Sequence, residues 1–298
     1  MESLKSDAFG KVNSVVLADC EEIKCDALFL CIGHSARDTF KNIRECNVQV
    51  EAKPFSVGVR IEHLQNDIDE SLYGDFAGSE SLGKGQYTLS KKFDNRAVYS
   101  FCMCPGGVVV ASASDRGQIV TNGMSYYSRD GVNANSAIAV SVDTSDYGGT
   151  VENAMEFQHS IERKAYEVAG GDGTAPIQLL GDFFDGNVKN EPARILPTYT
   201  GKTALRSADE VFPEFICQNL RKGITLFERD IKGFSVRDAV LTFPETRTSS
   251  PVKIPRDKNY LACGFSNLYP CGEGAGYAGG ITSAAVDGLR AAIFYLES

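Results

Sequence analysis

The chain has 298 residues with 43% hydrophobic content, a formal net charge of −9 and an isoelectric point near 5.0. This size allows one large domain or two modest ones around an apolar core. The acidic balance argues against nucleic acid or an anionic membrane as the main partner, because both require basic patches.

No apolar run approaches the roughly 18 residues of a transmembrane helix, and residues 1–8 have no apolar core of a secretory signal. We therefore predict a cytoplasmic protein, or one of a plastid or other organelle stroma if the chain is a truncated eukaryotic protein. Three separated histidines and the absence of C-x-x-C predict no metal site. Cysteines within apolar runs predict reduced, buried thiols, namely Cys20, Cys25, Cys31, Cys217 and Cys263.

The N-terminal region predicts two strands joined by a polar link. Residues 12–17 and 27–32 are apolar runs, and residues 19–24 between them are polar. The second run is continuously apolar, which is typical of a strand buried on both faces. It ends at Gly33 and His34, and a short helical pattern then continues to about Ile43.

Residues 53–256 have the pattern of a β-rich domain with two helices. Apolar residues at helical spacing predict helices over 151–169 and 213–231. Short apolar runs separated by Gly and Asn predict strands at 55–61, 96–103, 108–113, 119–121, 137–142 and 234–243, with loop over 172–206 and a polar return over 244–256. Residues 1–52 and 257–298 then form one discontinuous domain around the inserted domain 53–256.

The stretch 267–288 predicts a strand, a glycine-rich loop and a helix. Five glycines lie between Gly272 and Gly280. Such glycines let a backbone approach a phosphate or a planar cofactor at a helix N-terminus. Gly274, Gly276 and Gly279 also spell G-x-G-x-x-G. We do not interpret them as an ADP-binding fingerprint, because that motif opens a βαβ unit and a single helix follows here.

This stretch is similar to the C-terminal flavin motif of two-domain FAD-dependent oxidoreductases. More narrowly, the chain resembles the family of predicted FAD-dependent (NAD/FAD-utilising) dehydrogenases in residues 31–38, 53–63, 99–107, 121–127, 245–251 and 272–280. The resemblance implies a mixed α/β (α+β) fold, in which a partial three-layer FAD/NAD(P)-binding domain is interrupted by a β-rich substrate domain. It also implies FAD as the cofactor, with hydride transfer at the flavin N5 from a small-molecule substrate or NAD(P)H.

The resemblance assigns cofactor contacts to the loop and to the end of the second strand. In such proteins the carboxylate equivalent to Glu273 accepts a hydrogen bond from a ribityl hydroxyl. Backbone amides of Gly279, Gly280 and Ile281 would face the flavin pyrimidine edge, where the positive end of the helix stabilises negative charge. The other expected cofactor contacts are Gly33, His34, Gly272, Gly274 and Gly276.

A member of this family should carry well over a hundred residues before the strand at 27–32, including the βαβ unit that holds the adenine end of FAD. Either the chain is a fragment or another polypeptide supplies that half. We therefore expect the isolated chain to bind FAD weakly or not at all. The alternative to an oxidoreductase is a non-catalytic fragment or a flavin-fold module that binds a partner.

The candidate catalytic residues are Cys102, Cys104 and His34. We expect the two cysteines to point to opposite faces of a strand, so at most one is expected to address a given pocket. A thiol poised at the flavin and a pair of ordinary core cysteines are both compatible with this pattern. His34 is either a ligand contact or a structural hydrogen-bonding group.

The candidate substrate contacts are Arg60, on a strand of alternating character, Tyr126 and Arg247. Arg247 lies in the polar return with Lys253 and Arg256, where the three cations could bind a carboxylate or a phosphate. The ordinary alternatives are solvated charges and an aromatic ring of the β core.

Overall fold

The computed structural model describes residues 1–297 and shows a mixed α/β fold, as predicted. The strands are β1 Ser3–Ser6, β2 Val12–Val16, β3 Glu22–Lys24, β4 Leu28–Leu30, β5 Glu51–Ala52, β6 Phe55–Leu64, β7 Ser90–Phe93, β8 Arg96–Cys104, β9 Gly107–Ala111, β10 Thr121–Ser125, β11 Asn133–Val142, β12 Ala175–Leu179, β13 Thr203–Leu205, β14 Val240–Glu245, β15 Val252–Lys253 and β16 Leu268–Pro270. The helices are α1 Arg37–Glu45, α2 Gln65–Tyr73, α3 Thr144–Tyr147, α4 Val151–Val168, α5 Leu180–Asp185, α6 Glu214–Phe227 and α7 Ile281–Glu297, with short 3-10 turns at Gly74–Phe76 and Ala208–Glu210.

The chain divides into two compact units. The first unit comprises Met1–Phe55, Asp143–Phe157 and the chain from Ser249 onward, and the second comprises Ser56–Val142 and Gln158–Thr248. Residues 143–157 and 249–256 thus join the first unit, whereas the sequence suggested the inserted domain for both. The reason is local packing, since Val151 lies in the same apolar cluster as Leu4 and Val252. The predicted domain boundaries themselves stay a prediction.

The second unit is built on a seven-stranded mixed sheet in the order β13-β12-β14-β6-β11-β8-β7. Strands β12 and β13 pair in parallel, and β14 pairs antiparallel with both β12 and β6. The sequence predicted alternating character for β6, and this is wrong, because residues 55–63 are all buried in this central strand. Helices α4 and α6 confirm the predicted periodicity, although α6 ends at Phe227, four residues before the predicted end.

Four local predictions are wrong. Residues 172–206 are not a continuous loop, because β12, α5 and β13 lie there, and β12 is buried at all five positions. The predicted strand 234–243 begins only at Val240, and residues 19–24 contain β3. In the run 27–32 Leu30 alone is buried. That run pairs with β16 in a two-stranded sheet; Leu28 and Ile32 are partly buried against one apolar cluster, and Phe29 is partly buried against another.

The cysteine prediction is correct for pairing and largely wrong for burial. All nine thiols, which lie within the described residues, are free. Of the five predicted to be buried, only Cys217 is; Cys20, Cys31 and Cys263 are exposed and Cys25 is half-buried. Apolar neighbours in sequence therefore did not indicate the depth of these side chains.

In the first unit, one amide side chain ties the N-terminal sheet to the C-terminal strand. Asn267 accepts a hydrogen bond from the Val12 N–H at 2.7 Å, and its Nδ2 donates to Val12 O at 2.8 Å and Asp26 O at 2.7 Å. The Leu28 N–H in turn donates to Asn267 O at 2.9 Å. This side chain substitutes for a strand partner between β2 and β4.

The helices of residues 1–297 include none that is both long enough and apolar enough to cross a membrane.

Candidate functional site

The strand ends that the sequence singled out lie together in the first unit. Strands β4 and β16 pair in parallel, with Leu30 opposite Pro270, and Cys271 N donates to Leu30 O at 3.1 Å. Both strands then turn, one into Gly33 and His34 and the other into the glycine loop. Ligands of α/β proteins bind at such carboxyl ends of parallel strands.

A buried histidine and a half-buried glutamate face each other at these strand ends. His34 Nδ1 lies 2.6 Å from Glu273 Oε1, and the exposed fractions of the two side chains are 8% and 31%. The other ring nitrogen, His34 Nε2, is buried without a hydrogen-bond partner in residues 1–297. A buried polar atom left unpaired costs about 1–3 kcal/mol. The carboxylate thus orients the ring so that its second nitrogen is available to a ligand.

The glycines of this region have two different roles. A Cβ on Gly274 would stand 1.8 Å from Ile32 O, and one on Gly276, where φ is +83°, would stand 2.7 Å from Val252 O. Both positions therefore serve the close packing of backbone against backbone. A Cβ on Gly33 would meet nothing within 4 Å, and one on Gly280 would meet only Ser283 Oγ at 3.7 Å. Gly33 and Gly280 border open space.

Helix α7 begins beside this open space. Ser283 Oγ accepts a hydrogen bond from Gly280 N at 3.1 Å and donates to Gly280 O at 2.9 Å, which fixes the start of the helix. The first-turn amides of a helix have no intrahelical acceptor, and they carry the positive end of the helix dipole. A small cavity of about 190 Å³ lies between Gly33, Gly272 and Glu273 on one side and Ala284 and Gly288 of α7 on the other.

A half-buried ion pair holds the glycine loop against α7, and sequence reasoning missed it. Arg256 donates from Nη1 to Asp287 Oδ2 at 2.9 Å and from Nη2 to Asp287 Oδ1 at 2.6 Å. Gly272 N donates to the same carboxylate at 2.8 Å, and the guanidinium stacks on the Tyr277 ring at 3.7 Å. Arg256 therefore supports the loop instead of offering its charge to a phosphate. Its separation from Asp287 by more than thirty residues left no spacing signal in the sequence.

Replacing Asp287 with asparagine should lower the stability of the first unit by about 2 kcal/mol at neutral pH, because a charged hydrogen-bond pair is lost. Burial alone would raise the pKa of Asp287, but hydrogen bonds from Arg256 and Gly272 lower it below the ordinary 3.8. The contribution of the carboxylate is therefore complete above about pH 5 and is lost as the pH falls through the folded-state pKa. Urea unfolding should show that the wild type has a higher free energy of unfolding than Asp287→Asn at pH 7, and that this difference is smaller at pH 3. If the difference in free energy of unfolding is the same at pH 7 and pH 3, the Asp287 carboxylate does not stabilise the first unit in this way.

In the second unit, the two predicted arginines are buried in ion pairs. Arg60 is fully buried and donates from Nε and Nη2 to Glu245 at 2.9 and 2.6 Å. Burial alone would lower the pKa of Arg60, but Glu245 raises it, so the guanidinium stays charged. Arg247 donates to Glu162 from Nε at 3.2 Å and from Nη2 at 3.1 Å, and 6% of its side chain is exposed. Neither cation offers an open charge in this conformation.

Further contacts fix Arg60 within the sheet. Its Nη2 donates to Asn122 Oδ1 at 3.0 Å, and its Nη1 donates to Asn135 Oδ1 at 3.3 Å and Cys102 O at 2.8 Å. Tyr126, by contrast, is 66% exposed. The roles of Arg60, Arg247 and Tyr126 as substrate contacts stay predictions.

The two candidate cysteines do not follow strand alternation. Cys102 is exposed and has a φ of +46°, outside the β region, while Cys104 is buried. The pairing of β8 with β11 shifts register at this place, between Asn135 opposite Cys104 and Ala137 opposite Phe101. A regular strand would place residues 102 and 104 on the same face, so the reason given for opposite faces is wrong. The bulge at Cys102 instead gives the two side chains their different exposure.

No group of three or more His, Cys, Asp or Glu side chains in residues 1–297 is arranged to hold a metal ion.

Comparison with known proteins connects residues 54–248 to FAD-dependent proteins. Residues 54–248, more than half of the chain, match the family described as FAD-dependent protein, C-terminal domain-like. The chain is also 45% identical over 291 residues to a protein of Clostridium beijerinckii (strain ATCC 51743 / NCIMB 8052) described as an uncharacterized protein. That match covers 97% of this chain and 54% of the relative, so the chain spans about half the relative's length. The chain therefore belongs to the family of FAD-dependent proteins that share this C-terminal domain.

Proposed function

We propose that the chain is part of an FAD-dependent oxidoreductase and that its first unit binds the isoalloxazine end of the cofactor. The observation that carries this proposal is His34, held by Glu273 at the ends of β4 and β16, with its Nε2 buried and without a partner in residues 1–297. Gly33 and Gly280 leave the adjoining space open. Membership of the FAD-dependent family supports the choice of ligand. These residues fit the ring end of a flavin, which has hydrogen-bonding edges and a flat apolar face.

In this proposal, bound FAD supplies hydride transfer at its N5 position. The protein contributes binding and electrostatics. Glu273 keeps His34 Nδ1 protonated by accepting its hydrogen bond, which leaves Nε2 to accept from a ligand when the ring is neutral and to donate when it is charged. The first amides of α7 favour a partial negative charge nearby. The Arg256–Asp287 pair keeps the loop in place.

The adenine end of FAD needs the βαβ unit described above, which we did not expect in these 298 residues. We propose that a part of the longer relatives outside these 298 residues supplies them. Support comes from the length of the Clostridium beijerinckii relative and from α7, whose exposed apolar side chains are Ile281, Val286, Leu289, Ile293 and Leu296.

Flavin titration of the purified chain tests the proposed binding mode. Riboflavin, FMN and FAD should bind with similar affinity, because the ring end carries the contacts, and ADP should not compete. Glu273→Gln should weaken binding of all three by roughly tenfold, which corresponds to about 1.4 kcal/mol. The matched control is Glu22→Gln, which removes an exposed carboxylate paired with Lys5 in the same unit.

Wild-type affinity in Glu273→Gln, or displacement of FAD by ADP, would contradict the proposed ring site. Oxidoreductase activity is tested separately on the Clostridium beijerinckii relative, with NADH and NADPH as candidate electron donors. Flavin that binds but is reduced by neither donor nor by any small-molecule substrate would favour the non-catalytic alternative.

A further inference from the structure

Two lysine side chains lie on one face of the short ribbon that β5 and β15 form in the first unit. Lys253 pairs with Glu51, and the Lys53 N–H donates to Pro251 O at 3.0 Å, which extends the antiparallel register by one residue. Glu51 and Lys53 share a face because they are two residues apart on one strand, and Lys253 lies opposite Glu51. Lys53 and Lys253 are thus diagonal neighbours, about 7–8 Å apart at the backbone, and their long side chains can reach one small ligand.

The opposite face of this ribbon is the apolar one. Val252 is fully buried in the main apolar cluster of the first unit, and Ala52 packs against that cluster. Alternation along each strand therefore turns Lys53 and Lys253 away from the core. Both lysines are half-buried, so their positions are neither those of core residues nor those of freely solvated surface charges.

The same ribbon borders the glycine loop. A Cβ on Gly276 would lie 2.9 Å from Lys253 Cα, so the loop backbone packs directly on this strand. Lys253 Nζ lies 4.8 Å from the centre of the Tyr277 ring, in the same loop. That loop also carries Glu273, which contacts His34. The two cations therefore stand beside the proposed flavin ring site.

Neither lysine is neutralised within the chain. Lys53 and Lys253 form no ion pair with a carboxylate of residues 1–297. Burial lowers the pKa of Lys53, the charge of Lys253 lowers it further, and the charge of Glu273 raises it. Burial and a neighbouring like charge both disfavour an ammonium group, and a bound anion would oppose both effects.

The other two cations that the sequence grouped with Lys253 are already paired. Arg256 is held by Asp287, and Arg247 is held by Glu162. Lys253 is thus the member of that group whose charge is left for a ligand, and Lys53 joins it from the neighbouring strand.

We propose that Lys53 and Lys253 together bind a phosphate group of the small-molecule substrate, beside the flavin ring. A phosphate monoester carries about 1.5–2 negative charges at neutral pH, which two ammonium groups balance. Lysine acts on phosphate as a point charge and does not need the bidentate geometry of an arginine. The inference rests on the proposed function for the flavin beside it, but binding of phosphate can be measured without flavin.

Inorganic phosphate is the probe, added to the flavin-free chain at constant ionic strength, and titration calorimetry gives its dissociation constant. We expect Lys53→Gln and Lys253→Gln each to raise this constant by roughly tenfold, because each removes a charged hydrogen-bond donor. The control Lys258→Gln removes an exposed lysine of the same unit and should leave the constant unchanged. Without phosphate, Lys53→Gln and Lys253→Gln should unfold at the wild-type temperature or above it, since neither breaks an ion pair.

Riboflavin and FMN identify the molecule that carries the phosphate group. Riboflavin has no phosphate, whereas FMN has one on its ribityl chain. If the lysines serve the substrate, saturating inorganic phosphate should leave the affinity for both flavins unchanged. Displacement of FMN but not of riboflavin would assign the lysines to the cofactor and overturn the proposal.

The proposal is also overturned if the wild type binds no phosphate, or if Lys53→Gln and Lys253→Gln both keep the wild-type dissociation constant. Neither result touches flavin binding at His34 and Glu273. Phosphate binding by a chain that takes up no flavin would support the lysine site and contradict the proposed ring site, so the two failures are distinguishable.

Discussion

Glu245→Gln should lower the free energy of unfolding of the second unit by about 3–5 kcal/mol, the usual cost of removing one partner from a buried ion pair. The glutamine has nearly the same shape, but it leaves the Arg60 charge without a counter-charge at a position with 0% exposure. The loss should appear in urea unfolding at pH 7. Faster hydrogen exchange along β6 and β14 would localise it, since these paired strands carry Arg60 and Glu245.

Two further variants separate burial from charge. Lys202→Ala removes one member of an ion pair in the same unit whose side chains are 83% and 54% exposed, and such pairs contribute at most about 1 kcal/mol. Arg60→Met with Glu245→Leu removes both charges, but it also takes a donor from Asn122, Asn135 and Cys102 O. We expect that double variant to recover only part of the loss. Equal stability of Glu245→Gln and wild type would refute the description of this pair.

Gly274→Ala should disrupt the first unit, with a loss of about 3 kcal/mol or more, at the upper end of the usual cost of overpacking. The added Cβ would lie 1.8 Å from Ile32 O and 2.8 Å from Ile32 C, and neither backbone atom can retreat by rotating a side chain. Either the end of β4 or the glycine loop must move, and the contact of His34 with Glu273 moves with it. Thermal unfolding and flavin titration should both report the change.

Gly33→Ala is the matched control, because its Cβ would meet nothing within 4 Å. Its unfolding curve should match that of the wild type. Flavin binding should nevertheless fall, since the new methyl group projects into the proposed ring site. If Gly274→Ala is as stable as wild type, the close approach of loop and strand is wrong. If Gly33→Ala keeps full flavin affinity, the ring does not lie beside Gly33.

Periodicity was the part of the sequence that predicted the fold well. Helix α4 was found because apolar side chains recur at helical spacing along its whole length. Strand β12 was missed because it is short, contains Pro176 and lies among glycines and polar residues, and its burial comes from neighbouring strands β13 and β14. Burial supplied by distant elements leaves little trace in a local window.

The candidate site was predicted in the same uneven way. Gly33, His34, Glu273 and Gly280 were singled out because the strand–glycine–helix pattern places its loop at the strand ends, and their role as a cofactor site stays a prediction. Asp287 was missed because a single acid on a helix has no spacing signal that ties it to Arg256. The bulge at Cys102 was missed because a positive φ at a non-glycine residue contradicts local preference and is imposed by the surrounding sheet.

The hydrogen bonds of the Asn267 side chain have a consequence for folding during synthesis. Its hydrogen bonds reach Val12 across 255 residues of sequence. At roughly 5–20 residues per second, Val12 is added to the growing chain about 13–50 seconds before Asn267. During that interval β2 and β4 have no partner for the groups that Asn267 later satisfies. The groups at Val12 and Asp26 therefore stay without this hydrogen-bond partner for at least that interval, and we expect the packing of β2 against β4 to be completed late.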